Sequence, residues 1–297
     1  MKHQKFRGTG VALVTPFRNG TIDWNAYEQV IEHVIKGGAN YLVCLGSTGE
    51  SVTLTTEECR QVVDATININ NKRLPVVVGM FGLNYTDRLV DKLKDFNFTG
   101  VDAILSSSPA YNKPTQEGIY QHYMAIAEVC PVPIIIYNVP GRTSSNVLPA
   151  TVIRLAKANP KFIAVKEASG DIPQTTQLIK DKPDDFLIIS GDDPTALAAI
   201  ACGGDGIISV IGNAFPTPFS AMIRAALEGD FAKAKDLNLQ LFGMHHWLYV
   251  EGNPAGVKAA LELQGIGTRE VRLPLVALTE KSLAGLKKEM ESVLQLC

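Results

Sequence analysis

Apolar residues along this chain gather in short, nearly unbroken runs, and each run is followed by a longer stretch whose apolar positions recur with helical spacing. Gly10–Pro16 is the first run, and about Asp23–Lys36 is the first amphipathic stretch, stopped by Gly37 and Gly38. The plan then repeats. Tyr41–Leu45, Pro75–Gly79, Val101–Leu105, Pro133–Tyr137, Phe162–Gly170, Phe186–Ser190 and Gly206–Val210 read as further strands. Helices are predicted over about Thr86–Phe96, Thr115–Val129, Pro149–Ala158, Thr195–Ala201 and Pro218–Glu228. Another opens at Thr55, with Glu58 at capping-box spacing. Strands that are apolar at consecutive positions suit a parallel sheet buried on both faces. Roughly eight strand-then-helix units in succession predict a (β/α)8 barrel, with an open doubly wound sheet as the alternative.

After Gly229 only helical patterns remain, over about Phe231–Val250, Pro254–Leu263 and Thr279–Leu294. The chain therefore divides into a catalytic barrel over 1–228 and a C-terminal helical extension over 229–297. The extension is too small for a confident core of its own, so it is expected to pack on the barrel or against a second subunit.

Composition narrows the function. The chain has 297 residues, 46% hydrophobic and 20% charged, with a formal net charge of −2. No basic cluster marks a nucleic-acid partner. No apolar run approaches membrane-spanning length, and the basic start leads into no secretory leader, so a cytoplasmic protein is expected. The five cysteines are scattered, which indicates neither a disulfide framework nor a zinc site. His245 and His246 are adjacent and so face different ways on a helix. No metal or cofactor is expected.

One charge is out of place. Lys166 sits in the sixth strand, with Ala164 and Ala168 as its neighbours on one face while Glu167 points to the other. The plain reading is a lysine that snorkels to water or pairs with a distant acid. The sharper one is an amine kept partly neutral by burial, so that it attacks a carbonyl and forms a Schiff base. Barrel enzymes carry their reactive groups at the carboxyl ends of the strands, and the unusual residues of this chain all fall there. Gly46-Ser47-Thr48-Gly49-Glu50 follows strand two, Tyr111 follows strand four, Tyr137 ends strand five and Gly191-Asp192-Asp193 follows strand seven. Each also has an ordinary explanation. The glycine loop is a sharp turn or an anion nest, Tyr137 a packed rim aromatic or a proton donor, and Arg142 a solvated loop residue or a carboxylate fork. Asp192 and Asp193 are metal ligands, a general-base pair or, as read here because no histidine is near in sequence, a helix-entry cap.

Taken together, the glycine loop, Tyr111-Asn-Lys-Pro114, Tyr137-Asn-Val-Pro-Gly-Arg-Thr143, Lys166-Glu-Ala-Ser-Gly170, Ser190-Gly-Asp-Asp193 and Gly252-Asn-Pro254 resemble the dihydrodipicolinate synthases in order and spacing. The resemblance implies a cofactor-free class I aldolase that condenses pyruvate with L-aspartate 4-semialdehyde, in lysine and diaminopimelate biosynthesis. It implies that Lys166 forms the Schiff base and that Ser47 and Thr48 hold the pyruvate carboxylate. Tyr137, Ser47 and Tyr111 would form the proton relay, with Tyr111 reaching in from a neighbouring subunit. Arg142 would take the carboxylate of the second substrate, and groups near Gly191 and Ile208 would line the pocket. A homotetramer, a dimer of dimers, is implied. Two departures stand out. The family commonly has threonine in place of Ser47; serine there also occurs in N-acetylneuraminate lyases, so such a lyase or a keto-deoxy-sugar lyase is the alternative. Arg142, generally lacking in those lyases, favours the first reading. Thr56, Cys59, Arg88 and Ala110 match the positions that bind inhibitory lysine in regulated members, which implies weak or absent feedback by L-lysine.

Overall fold

The computed structural model describes residues 3–80 and 84–293. Eight parallel strands close into a barrel: β1 (Gly8–Ala12), β2 (Tyr41–Cys44), β3 (Val76–Met80), β4 (Ala103–Ser107), β5 (Ile134–Asn138), β6 (Phe162–Glu167), β7 (Leu187–Ser190) and β8 (Gly206–Ser209). Each strand pairs with its sequence neighbours, and β1 closes the ring between β8 and β2. That closure removes the open-sheet alternative. The strands are buried on both faces, which is why their sequences are apolar without alternation.

The helices are α1 (Trp24–Lys36), α2 (Thr56–Asn70), α3 (Thr86–Lys94), α4 (Gln116–Val129), α5 (Pro140–Thr143), α6 (Pro149–Ala158), α7 (Ile172–Asp181), α8 (Ala196–Ala201), α9 (Pro216–Leu227), α10 (Phe231–Tyr249), α11 (Ala255–Leu263) and α12 (Glu280–Val293). The predicted box is present: the Thr55 hydroxyl accepts from the Glu58 N–H at 3.1 Å, and the Glu58 carboxylate accepts from the Thr55 N–H at 2.8 Å. A short hairpin (Phe17–Arg18 with Thr21–Ile22), α5 and α7 were not foreseen. The predicted end at Leu294 and Cys297 lie outside the described residues. Among the described residues, no helix is long and apolar enough to cross a membrane.

The first strand begins at Gly8 rather than at the predicted Gly10. Its start is a close approach of two glycines, since a Cβ on Gly206 would lie 2.1 Å from the Gly8 carbonyl oxygen. Glycine is a poor strand former by propensity, and here backbone proximity decides. Two apolar layers result. One lies between strands and helices, and the other fills the barrel interior with Phe6, Tyr41, Val43, Val77, Leu105, Ile135, Ile189 and Ile208. Phe6 packs edge-on against Tyr41, with ring centroids 5.7 Å apart, and plugs the amino end of the barrel. The carboxyl end is left for chemistry.

Candidate active site

Strand geometry puts Lys166 inside. It is in register with Tyr137 of β5 and Ile189 of β7, both in the interior cluster, and its ammonium lies 4.5 Å from the centroid of the Tyr137 ring. The residue is 5% exposed. It joins no ion pair among the described residues. Glu167 faces the helices instead. Its carboxylate accepts from Asn138 Nδ2 at 2.9 Å, Gln174 Nε2 at 3.1 Å and the Ser169 N–H at 2.8 Å, so it has no role opposite Lys166.

Space for Lys166 comes from Gly191, just past β7. A Cβ there would lie 2.8 Å from Lys166 Cε and 2.5 Å from Ala168 Cβ, so any side chain would displace the lysine stem. Across the barrel mouth, the loop from Gly46 to Glu50 folds on itself through Gly49 N–H to Gly46 O and Glu50 N–H to Ser47 O, each 3.1 Å. The Thr15 hydroxyl donates to Gly49 O at 2.8 Å, and a Cβ on Gly49 would stand 3.0 Å from Leu13 O. This loop turns Ser47 and Thr48 toward the barrel axis. Arg142 sits on α5, which the chain enters directly after β5.

These groups meet in a cavity of about 140 Å3 lined by Lys166, Tyr137, Ser47, Thr48, Arg142 and Gly191. A second chamber of about 280 Å3 shares Ser47, Tyr137 and Arg142 and opens outward past Val52 and Leu275. Tyr111 is expected from a neighbouring subunit and Ile208 only through groups near it, and neither lines a chamber within this chain. Tyr111 is 89% exposed; Ile208 is 1% exposed in the barrel interior, and Val210 forms the wall above it.

The structure adds residues that sequence reasoning missed. Asp192, Tyr249 and Asn253 also line the inner cavity. Asn253 Nδ2 donates to Thr48 Oγ1 at 3.0 Å. The Tyr249 hydroxyl donates to Asp193 Oδ2 at 3.4 Å; burial, then Asp193 and Asp192, push its pKa well above the usual phenol value and keep it a donor. The helix-entry cap expected of Asp192 and Asp193 is corrected. Neither side chain caps the turn Asp193–Thr195. Asp193 instead accepts from the Val210 and Ile211 N–H groups at 3.0 and 2.9 Å, tying the end of β7 to that of β8. Nothing local in the sequence marks this long-range role, and although Gly252-Asn-Pro254 is part of the resemblance, it gave Asn253 no place at the site.

Chemically, a primary amine beside a phenol faces a loop of hydroxyls, with a guanidinium at the mouth. Such a site can take an oxo acid, its carbonyl over the amine and its carboxylate over the loop.

The Dihydrodipicolinate synthetase family profile matches residues 5–293. A 4-hydroxy-tetrahydrodipicolinate synthase of Flavobacterium psychrophilum is 49% identical over 278 residues, covering 93% of this chain and 94% of the relative. The crystal structure of dihydrodipicolinate synthase from Thermotoga maritima superposes with a TM-score of 0.94 at 39% identity, covering 98% of this chain and 99% of that one. The chloride-inhibited dihydrodipicolinate synthase of Acinetobacter baumannii, solved in complex with pyruvate, gives a TM-score of 0.92 at 40% identity over 96% and 98% of the two chains.

Proposed function

The chain belongs to the dihydrodipicolinate synthetase family, and on that premise we propose that it condenses pyruvate with L-aspartate 4-semialdehyde to 4-hydroxy-tetrahydrodipicolinate, by way of a Schiff base on Lys166. The observation that carries this is a buried lysine without an ion-pair partner among the described residues, given room by Gly191 and set against Tyr137.

The amine of Lys166, as free base, adds to the keto carbon of pyruvate, and loss of water leaves a protonated imine. Tyr137 moves the protons this needs, with Ser47 and the Tyr111 of a second copy completing the relay. The 89% exposure of Tyr111 supports a role outside its own barrel, and hence at least a dimer, with a homotetramer as the expected assembly. The Ser47–Thr48 loop holds the pyruvate carboxylate. The imine draws electrons from C3, which loses a proton to give an enamine. Its C3 attacks the aldehyde, while Arg142 holds the carboxylate of that second substrate. The substrate amino group then closes the ring on the imine carbon and releases Lys166. Atoms balance with one water lost as the imine forms.

Borohydride reduction in the presence of pyruvate tests the reading. The adduct is expected on the peptide containing Lys166; a folded protein that gives none overturns it. Turnover with L-aspartate 4-semialdehyde but not with N-acetylmannosamine separates it from the lyases. Feedback by L-lysine is expected to be weak, because Arg88 is exposed and would repel the lysine ammonium at a position the resemblance assigns to an acid; the groove lined by Thr56 and Cys59 carries the acids Asp64 and Asp95 as well as Arg60 and Lys92 and favours neither sign. Complete inhibition at sub-millimolar lysine would refute that.

A further inference from the structure

The most deeply buried ion pair among the described residues is not at Lys166. Glu50, the last residue of the glycine loop, pairs with Lys258 of α11, and each side chain is 1% exposed. Lys258 also donates to Glu270 O at 2.9 Å, and its ammonium lies 4.1 Å from the centroid of the Phe17 ring. The second oxygen of Glu50 accepts from the Arg272 N–H at 3.0 Å. The Arg272 guanidinium lies 4.4 Å from that ring centroid too and donates to both carboxylate oxygens of Glu58, at 2.8 and 2.5 Å. Loop, α2 and C-terminal extension are thereby joined through one polar core.

Stability alone does not call for such a pair. Desolvating two charges is costly, and apolar residues of similar volume often serve as well or better, so the reason for a fully satisfied pair is sought in the conformation it fixes. Here that conformation is unusual. Glu50 has φ 53° and ψ 32°, left-handed backbone that a residue with a Cβ adopts reluctantly. Its N–H bonds to Ser47 O, closing the turn that presents Ser47 and Thr48. The same stretch of the extension grips this turn a second time, through Asn253 on Thr48. Burial lowers the Lys258 pKa to about 8, against the opposing pull of Glu50.

We infer that Lys258 is a positioning residue: through Glu50 it sets the presentation of Ser47 and Thr48 toward Lys166, so that the C-terminal extension, not the barrel alone, fixes the carboxylate site for the 2-oxo acid. This rests on the reading given above, and the test separates the two.

The double variant Glu50→Gln/Lys258→Met removes both charges at nearly constant volume and avoids leaving either one buried alone. Borohydride trapping is followed over a range of pyruvate concentrations on the intact protein. Half-saturation is expected to move up by about tenfold or more, with the folded state confirmed by circular dichroism and the KM for the aldehyde at saturating pyruvate changed by less than about twofold. A folded double variant that saturates like the wild type overturns the positioning role. A wild type that forms no adduct overturns the aldolase reading and this inference with it. Should the double variant not fold, Glu50→Gln alone decides; it keeps one acceptor oxygen and turns an amide NH2 donor toward either Lys258 or the Arg272 N–H, so the two-sided grip on the turn is lost. A rise of about threefold or more supports the inference, and an unchanged curve overturns it.

Discussion

Lys166 and Lys258 are both buried, one at the end of β6 and the other in the C-terminal extension, and their surroundings are opposite. Lys258 is saturated with partners: a carboxylate, a backbone carbonyl and an aromatic face. Lys166 has the Tyr137 ring and a cavity. An ammonium with every donor met is an anchor, because losing its proton or moving would strand its partners. An amine without a counter-ion, next to open space, is free to exchange its proton for a covalent bond. Burial by itself separates neither case; the partners do.

The comparison breaks most sharply by deleting each amine. Lys166→Ala removes the nucleophile, and turnover is expected to fall by roughly a thousandfold or more, with no borohydride adduct. Its melting curve should stay close to the wild type, since no ion pair among the described residues is lost. Lys258→Met does the reverse to stability. It leaves the Glu50 carboxylate buried and unpaired, at a cost of about 3–5 kcal/mol in denaturant unfolding. Equal stability losses in the two variants would erase the distinction.

The two lysines also differ in how legible they were. Lys166 breaks a continuous apolar run, which exposed it, and the order of motifs around it pointed to Tyr137, Ser47 and Thr48, with which it lines the inner cavity. The barrel was legible for the same reason, since eight buried strands leave eight apolar runs. Lys258 lies in Val257-Lys-Ala-Ala260, where one charge on a helix reads as solvent-facing, and its partner is more than two hundred residues away. Asp193 escaped likewise: a cap is a local prediction, while its bonds to Val210 and Ile211 depend on β7 lying beside β8. Tertiary partners at long sequence separation leave no local period.

Gly191→Ala sharpens the Lys166 side without touching its amine. The added Cβ would stand 2.8 Å from Lys166 Cε and 2.5 Å from Ala168 Cβ. The lysine stem is the softer neighbour and should swing away, misaligning Nζ from the keto carbon. Rates of adduct formation are expected to drop by about a hundredfold, with a loss of roughly 1–2 kcal/mol in stability from overpacking. A wild-type trapping rate in this variant would mean that the lysine reaches pyruvate along another path.

A third buried base shows the remaining way to live without a counter-ion, which is to give up the proton. His122 on α4 is buried, its Nδ1 is 2.9 Å from the Thr86 hydroxyl, and burial lowers its pKa to about 4 from the ordinary 6.5. The folded protein thus keeps the ring neutral at a pH where the unfolded chain already binds a proton. Stability from this residue is complete above pH 6.5, falls as the pH drops toward 4, and does not change further below that, where both states are protonated. The loss over this window is about 2 kcal/mol, below the full linkage value because the ring keeps some access to water. His122→Asn has no proton to take up, so its unfolding free energy should show a shallower slope between pH 6.5 and 4 than the wild type, whatever its absolute stability. Identical slopes in urea titrations across that range would show that the ring takes up its proton in the folded state as readily as in the unfolded chain.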